Sequence, residues 1–377
     1  MRRRVCYIHI GPHKTGTSSI QWFLQQNRAQ LLERGYFVPE SATAHGAHHT
    51  LGRKLCGQTL PEPQQLAAVQ FTRDLAQTPC EAVVISSETL EGLLRHAACA
   101  KTFFNHIAEL KLTPKLVLFP RNQSQAVNSR YAEAVRSFCL SKPFDIFARQ
   151  VVPRPTLRYW PLLELADAYN AELIARPFTG EIVVHGVVAE FLRAIGFDPS
   201  QFQNTDVRRN PSVGPFTVSV ARRVALAIDP TGKQLKWRQA MRYKTELASY
   251  FQQHGLADAG YCGLTTVLAR ELEAAYRHEN NAFAQRVWGA EWSEIFAADL
   301  GQQFTPNDFD TCAPDASTQR LLERTVSDLV ALADEIMCDP RLGVDAPWND
   351  LPQRAGWTSQ DQPSDRTNPA ISRSTGT

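Results

Sequence analysis

The composition of this 377-residue chain excludes several broad classes of protein. A formal net charge of +2 at pH 7 gives no bulk attraction for nucleic acid. The hydrophobic content of 43% is ordinary for a globular protein, and the length fits one large domain or two. No apolar stretch is long enough for a membrane span, and the run after "MRRRV" is too short for a signal peptide. We therefore expect a cytoplasmic protein without a transmembrane segment.

The eight cysteines are scattered along the chain and form no CxxC pair or zinc-type spacing. Most lie in apolar surroundings, so we expect reduced thiols that pack in the core rather than a metal site.

Strands and helices alternate in the first half of the chain. Short runs of β-forming residues predict strands at residues 5–10, 81–86, 115–120 and 172–178. Amphipathic spacing predicts helices at residues 17–32, 61–77, 89–110, 124–138, 162–170 and 183–197. Residues 39–55 are histidine-rich and predicted to be irregular. The alternation predicts an α/β fold with a parallel sheet flanked by helices on both faces.

The second half is predicted to be mostly helical from about residue 216. Helical patterns cover residues 218–228, 237–253, 265–287 and 317–337. Residues 341–377 are polar and lack a core pattern, which predicts a disordered tail. We therefore expect one domain over residues 1–340, with its C-terminal part helical.

The stretch "YIHIGPHKTGTSS", residues 7–19, joins the first strand to the first helix. A loop in this position offers backbone N–H groups, and the start of the helix adds unpaired donors and the positive end of its dipole. Threonine and serine hydroxyls add further hydrogen-bond donors. The stretch therefore predicts a binding site for an anion.

This loop differs from the nucleotide P-loop G-x-x-x-x-G-K-[ST]. Gly11 and Gly16 have the required separation, but Thr17 stands where the lysine belongs, and the lysine of the loop is Lys14. A Mg²⁺-nucleotide site also needs an aspartate at the end of a neighbouring strand. The strand in "AVVISSE" leads to Glu88, and the strand in "KLVLFPRN" leads to Arg121. We therefore expect no metal, and a second phosphate near the arginine.

Two motifs resemble the sulfotransferases that use 3′-phosphoadenosine 5′-phosphosulfate (PAPS). "PHKTGTSS" resembles their 5′-phosphosulfate loop, in which lysine precedes glycine by two residues. "FPRNQSQAVNSRY" resembles their 3′-phosphate motif, in which serine follows arginine by eight residues, here Arg121 and Ser129. Weaker similarity continues to about residue 297 and is closer to the bacterial members. The chain lacks the family's C-terminal Arg-Lys-Gly triplet. The resemblance implies a P-loop-like sulfotransferase fold with PAPS as co-substrate.

The resemblance also implies roles for individual residues. Lys14 would stabilise the charge that develops on the oxygen bridging phosphorus and sulfur. Arg121 and Ser129 would bind the 3′-phosphate, because a planar guanidinium suits bidentate contact with phosphate. The loop residues that would bind the phosphosulfate are His13, Lys14, Thr15, Gly16, Thr17 and Ser18.

A catalytic base is predicted near the end of the second predicted strand. Glu88 could accept the proton of the acceptor hydroxyl, as a glutamate does in several glycan-modifying relatives. An acidic residue there is also favoured by the helix dipole alone. Three histidines of the irregular stretch are alternative bases or acceptor contacts, namely His45, His48 and His49. Similarity alone suggests further ligand contacts at Arg208, Arg209, Asn210 and Ser212.

The predicted activity is transfer of a sulfuryl group from PAPS to an acceptor hydroxyl, with a carbohydrate or small molecule as acceptor and no nucleic-acid partner. Two alternatives stay open: a P-loop kinase or NTPase with a displaced lysine, and a non-catalytic module that binds a nucleotide or glycan. Preference for ATP–Mg²⁺ would favour the first, and binding without transfer would favour the second.

Overall fold

A computed structural model describes residues 3–41, 43, 46–206, 213–229, 235–256, 258 and 260–342 of the chain. His45 and the four residues Arg208, Arg209, Asn210 and Ser212 lie outside these residues, as does the predicted tail beyond residue 342.

A sheet of five parallel strands in the order β2-β3-β1-β4-β5 forms the centre of the fold. The expected α/β class with a parallel sheet is therefore confirmed. The strands are β1 (Arg4–Gly11), β2 (Tyr36–Phe37), β3 (Ala82–Ser86), β4 (Leu112–Leu118) and β5 (Glu172–Ala175).

Helices make up most of the remaining described chain. They are α1 (Thr17–Gln26), α2 (Arg28–Glu33), α3 (His49–Leu55), α4 (Glu62–Gln77), α5 (Thr89–Leu93), α6 (Ala97–Glu109), α7 (Gln123–Arg136), α8 (Phe144–Val151), α9 (Trp160–Ala168), α10 (Gly180–His185), α11 (Val187–Ala194), α12 (Pro215–Ile228), α13 (Trp237–Gln253), α14 (Thr266–Trp288), α15 (Trp292–Ile295), α16 (Ala297–Leu300), α17 (Ala316–Val330) and α18 (Ala333–Cys338). Short 3₁₀ turns cover Pro155–Leu157 and Pro199–Gln201.

Both faces of the sheet are buried, because successive side chains of each strand enter different hydrophobic clusters. One cluster lies under helices α3 to α6, and the other lies under α1 and α11. The first cluster contains Cys6, Ile8, Ile10, Val83, Ile85, Leu116 and Leu118. The second contains Val84 and Val117, with Tyr7 packed against it.

Strand β1 is central, and its register fixes where its neighbours end. His9 pairs with Ser86 of β3, and Gly11 pairs with Leu118 of β4. The segments that follow β1, β3 and β4 therefore start at one edge of the sheet. In open parallel sheets this edge, at the carboxyl ends of the strands, is where ligands bind.

The C-terminal helices form a further core around α7. Helices α8, α12, α13, α14 and α17 contribute to this core, and α12 packs against both α7 and α17. Helix α14 also reaches the sheet, because Phe283 and Ala284 lie in the sheet cluster. Among the described residues no strand follows β5, so the expected helical C-terminal part is confirmed.

Several predicted boundaries were wrong. The predicted helix over residues 17–32 is interrupted at Asn27, whose side chain donates to the Phe23 carbonyl and competes with the helical pattern. The predicted helix over residues 183–197 breaks at Gly186, where φ is +94°. The helices predicted over 89–110 and 317–337 are each two helices. Strand β2 was missed, and α3 (His49–Leu55) occupies the last part of the stretch that was expected to be irregular.

No helix within the described ranges is both long enough and apolar enough to cross a membrane.

The packing of α11 on the loop predicts that Gly16 cannot be replaced. A Cβ there would lie 2.5 Å from Cγ1 of Val187, and φ is +76°. We expect Gly16→Ala to lower the free energy of unfolding by about 2–4 kcal/mol, through backbone strain and overlap. Urea denaturation followed by circular dichroism measures this change.

Gly92→Ala in α5 is the matched control, since a Cβ there meets nothing within 4 Å. It should leave stability unchanged or raise it slightly. Equal stability of the two variants would contradict the packing described here.

Candidate functional site

The loop between β1 and α1 is held in a fixed shape. The Thr15 hydroxyl donates to the Pro12 carbonyl at 2.7 Å, and this side chain is fully buried. Lys14 and Gly16 both have left-handed backbones, with φ of 68° and 76°. A lysine in this conformation is strained, and such residues cluster at functional sites. Thr15 thus shapes the loop, and only its backbone N–H is left for a ligand.

The first turn of α1 is free of side-chain capping. Gly16 occupies the N-cap position without a side-chain hydrogen bond, and no acidic residue lies in the first turn. Thr17 is buried and Ser18 is half-buried. The dipole and the N–H groups of this end can therefore be used for an anion.

The Arg121 side chain lies against this loop. Its Nη1 donates to the Lys14 carbonyl at 2.9 Å, and its guanidinium stands over the Phe178 ring at 5.4 Å. The Tyr159 hydroxyl accepts from Arg121 N at 3.0 Å and donates to Arg121 O at 2.8 Å. The arginine that follows β4 is thus fixed beside the loop that follows β1.

Ser129 lies on the face of α7 that is turned to the loop. Gln125 and Glu133 are one helical turn before and after it, so the three residues share a face. Gln125 accepts from Arg121 Nη2 at 3.4 Å, and Glu133 pairs with Lys14. Ser129 therefore lies on α7 between the residue that contacts the Arg121 guanidinium and the residue that pairs with the Lys14 ammonium.

Lys14 belongs to a basic cluster, which we call the Glu133 cluster and define as Lys14, Glu133, Arg136 and Lys244. Glu133 Oε2 lies 3.4 Å from Lys14 Nζ and 2.5 Å from Arg136 Nη2, and Oε1 lies 3.0 Å from Lys244 Nζ. Burial alone would raise the pKa of Glu133, but the three cations lower it to about 2. Burial lowers the pKa of Lys14, against the effect of Glu133.

Glu88 lies on another side of the loop, in a buried group of polar side chains. Its Oε2 accepts from Gln21 Nε2 at 2.5 Å, and its Oε1 lies 3.5 Å from His49 Nε2 and 4.0 Å from His13 Nδ1. Burial raises the pKa of Glu88, but His49, His13 and its own N–H outweigh burial and bring it well below its usual value. The carboxylate is thus charged at neutral pH.

This environment bears on the capping interpretation of Glu88. It stands at the N-cap of α5, yet its side chain makes no capping hydrogen bond. The carboxylate instead faces Gln21, His13 and His49. The carboxylate of Glu88 is therefore held at the strand ends by these side chains rather than used to cap its own helix.

The histidines divide into different roles. His48 is fully buried, its Nε2 bonds the Pro39 carbonyl at 3.0 Å, and its Nδ1 accepts from Ser86 N at 3.1 Å. Both ring nitrogens are thus used by the backbone, so the suggested acceptor contact does not fit His48. His49 also bonds the Ser87 hydroxyl through Nδ1 at 3.0 Å. His13 keeps a buried Nε2 without a hydrogen-bond partner in the described structure.

Sequence reasoning missed four residues of the site, namely Gln21, Glu133, Arg136 and Lys244. Gln21 is a buried polar residue one helical turn after Thr17. This spacing was the only sign in the sequence that its side chain could face the loop. Glu133 follows Ser129 by one turn and could have been found by extending that face of α7. Lys244 lies on α13, and nothing in the sequence connects α13 with the loop.

The groups at this edge suit an oxyanion. Cations and backbone donors predominate near Lys14 and Arg121, whereas divalent metals need several carboxylate or imidazole ligands. No group of three or more His, Cys, Asp or Glu in the described part of the chain is placed to hold a metal ion. That the activity needs no metal remains a prediction.

Comparisons with protein-family models, curated proteins and solved structures gave no match to this chain.

Burial of three histidines predicts that acid destabilises the protein. Burial lowers the pKa of His9, His13 and His48 from 6.5 to about 4. The unfolded chain therefore binds more protons between these values, and stability falls as the pH drops from about 6.5 toward 4. The substitution His48→Gln removes one such histidine. It should reduce the loss in the free energy of unfolding between pH 7 and pH 5 by about 2 kcal/mol.

Urea denaturation at the two pH values gives this difference, whatever the stability of each variant at pH 7. The exposed His185 supplies the control, because His185→Gln removes a histidine without removing a buried one. The interpretation is wrong if both variants show the same pH dependence as the wild type.

Proposed function

We propose that the protein is a PAPS-dependent sulfotransferase of the bacterial type, with a P-loop-like sulfotransferase fold. The observation that carries the proposal is the 2.9 Å hydrogen bond from Arg121 to the Lys14 carbonyl. It places the guanidinium of the second motif beside the loop of the first. A guanidinium beside a donor-rich loop suits an adenine nucleotide that carries one oxyanion at its 5′ position and another at its 3′ position.

The binding roles follow from the two motifs. N–H groups of the loop and of the first turn of α1 hold the 5′-phosphosulfate, and the helix dipole favours its charge. When the nucleotide binds, the Arg121 guanidinium donates to the 3′-phosphate, either in place of the Lys14 carbonyl or in addition to it. The phosphate offers the stronger, charge-assisted hydrogen bond. Ser129 adds a hydroxyl from the face of α7 that is turned to the loop.

The reaction is an in-line displacement at sulfur. An oxygen lone pair of the acceptor hydroxyl forms the new S–O bond, and the bond from sulfur to the bridging oxygen breaks. The electron pair of that bond stays with the 5′-phosphate of the departing 3′,5′-ADP. Lys14 stabilises the charge that builds there, and this interaction is stronger in the transition state than in the ground state.

The proton of the acceptor goes to the Glu88–His49 pair. Glu88 is ionised and buried at the strand-end edge, and its Oε1 is 3.5 Å from His49 Nε2. Glu88 takes the proton, and His49, whose two ring nitrogens face Ser87 and Glu88, holds the carboxylate in place. A saccharide hydroxyl is our first choice of acceptor, by analogy with glycan-modifying relatives.

Nucleotide binding gives the first test. Calorimetry should show that 3′,5′-ADP binds without Mg²⁺ and more tightly than ATP–Mg²⁺. Arg121→Ala should weaken 3′,5′-ADP by about 10–100-fold, because a charge-assisted phosphate contact is lost. Arg149→Ala, which changes an arginine with 61% of its side chain exposed, is the control and should have no effect. Tighter binding of ATP–Mg²⁺ would instead favour the kinase or NTPase alternative.

Transfer of radiolabelled sulfate from PAPS to mixed saccharides gives the second test. Lys14→Met should lower kcat by about 100-fold or more, because the bridging oxygen then leaves without a cation beside it. Binding of 3′,5′-ADP should weaken as well, because the 5′-phosphate of that product keeps the charge. Glu88→Gln should lower kcat by a similar factor. Binding of 3′,5′-ADP with no transfer in the wild type would point to the non-catalytic module.

A further inference from the structure

The Glu133 cluster is assembled from three separate parts of the chain. Lys14 comes from the loop, Glu133 and Arg136 come from the last turns of α7, and Lys244 comes from α13 of the C-terminal helices. Ser137 joins it, since its hydroxyl lies 3.2 Å from Glu133 Oε1 and 3.1 Å from Lys244 Nζ. Lys244 of the C-terminal helices thus pairs with the same carboxylate as Lys14 of the loop.

The charges of the cluster do not balance. Three cations share one carboxylate, and within the described residues each of them forms its ion pair with Glu133. The cluster therefore has a formal excess of two positive charges, which repel one another at these distances. An oxyanion with two negative charges would remove this excess.

The cluster is also open to a ligand. The side chains of Lys14, Glu133, Arg136 and Lys244 are 25%, 30%, 22% and 32% exposed. Arg136 in addition has a buried Nε with no hydrogen-bond partner among the described residues. The three cations, the Ser137 hydroxyl and the Arg136 Nε therefore lie around one partly exposed position. Phosphate and sulfate sites in proteins are built from groups of these kinds.

We propose that Lys14, Arg136 and Lys244 form an oxyanion subsite beside the loop, and that Glu133 competes with the oxyanion for these cations. The ligand is a phosphate monoester, which can carry two negative charges. It belongs either to the nucleotide, as an additional contact to the 3′-phosphate that Arg121 holds, or to an acceptor that already carries such a group. Only this choice of source rests on the proposed function, because the subsite itself follows from charge and geometry.

Calorimetry with pyrophosphate tests the subsite in the full chain. Lys244→Gln should weaken binding by about tenfold, because one charged contact is lost. Glu133→Gln should strengthen binding by about tenfold, because the competing carboxylate becomes neutral. A gain of affinity cannot result from misfolding. The Glu133→Gln variant therefore tests the subsite even if Lys244→Gln fails to fold. Lys142→Gln is the matched control, since that lysine is exposed and its ammonium donates to the Gln150 side chain, away from the Glu133 cluster.

The same variants identify the source of the oxyanion. If Lys244→Gln weakens 3′,5′-ADP but not 5′-AMP, the subsite takes the 3′-phosphate. If it weakens pyrophosphate and neither nucleotide, the subsite takes an anionic group of the acceptor.

Two results would overturn the subsite: no pyrophosphate binding by the wild type, or equal binding by wild type, Lys244→Gln and Glu133→Gln. Neither touches the proposed function, which fails separately if 3′,5′-ADP does not bind.

Discussion

The hydrogen bond between the Arg121 guanidinium and the Lys14 carbonyl depends on the central position of β1. Strand β1 pairs with β3 on one side and β4 on the other, so the chain leaves all three strands at one edge. The loop, Glu88 and Arg121 are each within a few residues of a strand end. Sheet topology thus brings together groups that are more than a hundred positions apart, and it does so without help from their side chains.

The loop separates two environments of opposite character. Near Lys14 the charge is positive, since Arg136 and Lys244 share one carboxylate with it. Near His13 the charge is negative, because Glu88 is ionised while burial keeps the pKa of His13 at about 4. The proposed sulfuryl transfer would use both, with Lys14 beside the leaving oxygen and Glu88 beside the entering one. The two groups follow different strands, β1 and β3, which keeps them from neutralising each other directly.

The sequence predicted those features that depend on local pattern. The strand, loop and first helix around Lys14 follow from β-forming residues, glycines and apolar spacing, and the structure has them where expected. Glu88 and Arg121 could be placed at one edge because parallel strands end together. None of these features depends on how the remaining helices pack.

The missing features depend on tertiary contacts. Lys244 reaches Glu133 only because α13 packs in the same core as α7, and no local signal encodes that packing. His48 and His49 are adjacent and chemically equal in the sequence, yet one bonds two backbone groups and the other meets Glu88. Helix breaks at Asn27 and Gly186 were also missed, because apolar spacing continues across both residues.

A crystal structure of the protein with 3′,5′-ADP would show whether the loop and Arg121 bind the same nucleotide. We expect the 5′-phosphate within hydrogen-bond distance of the N–H groups of residues 14–18, and the 3′-phosphate in bidentate contact with Arg121. A nucleotide bound away from this edge of the sheet, or bound there with Arg121 still turned from both phosphates, would contradict this expectation.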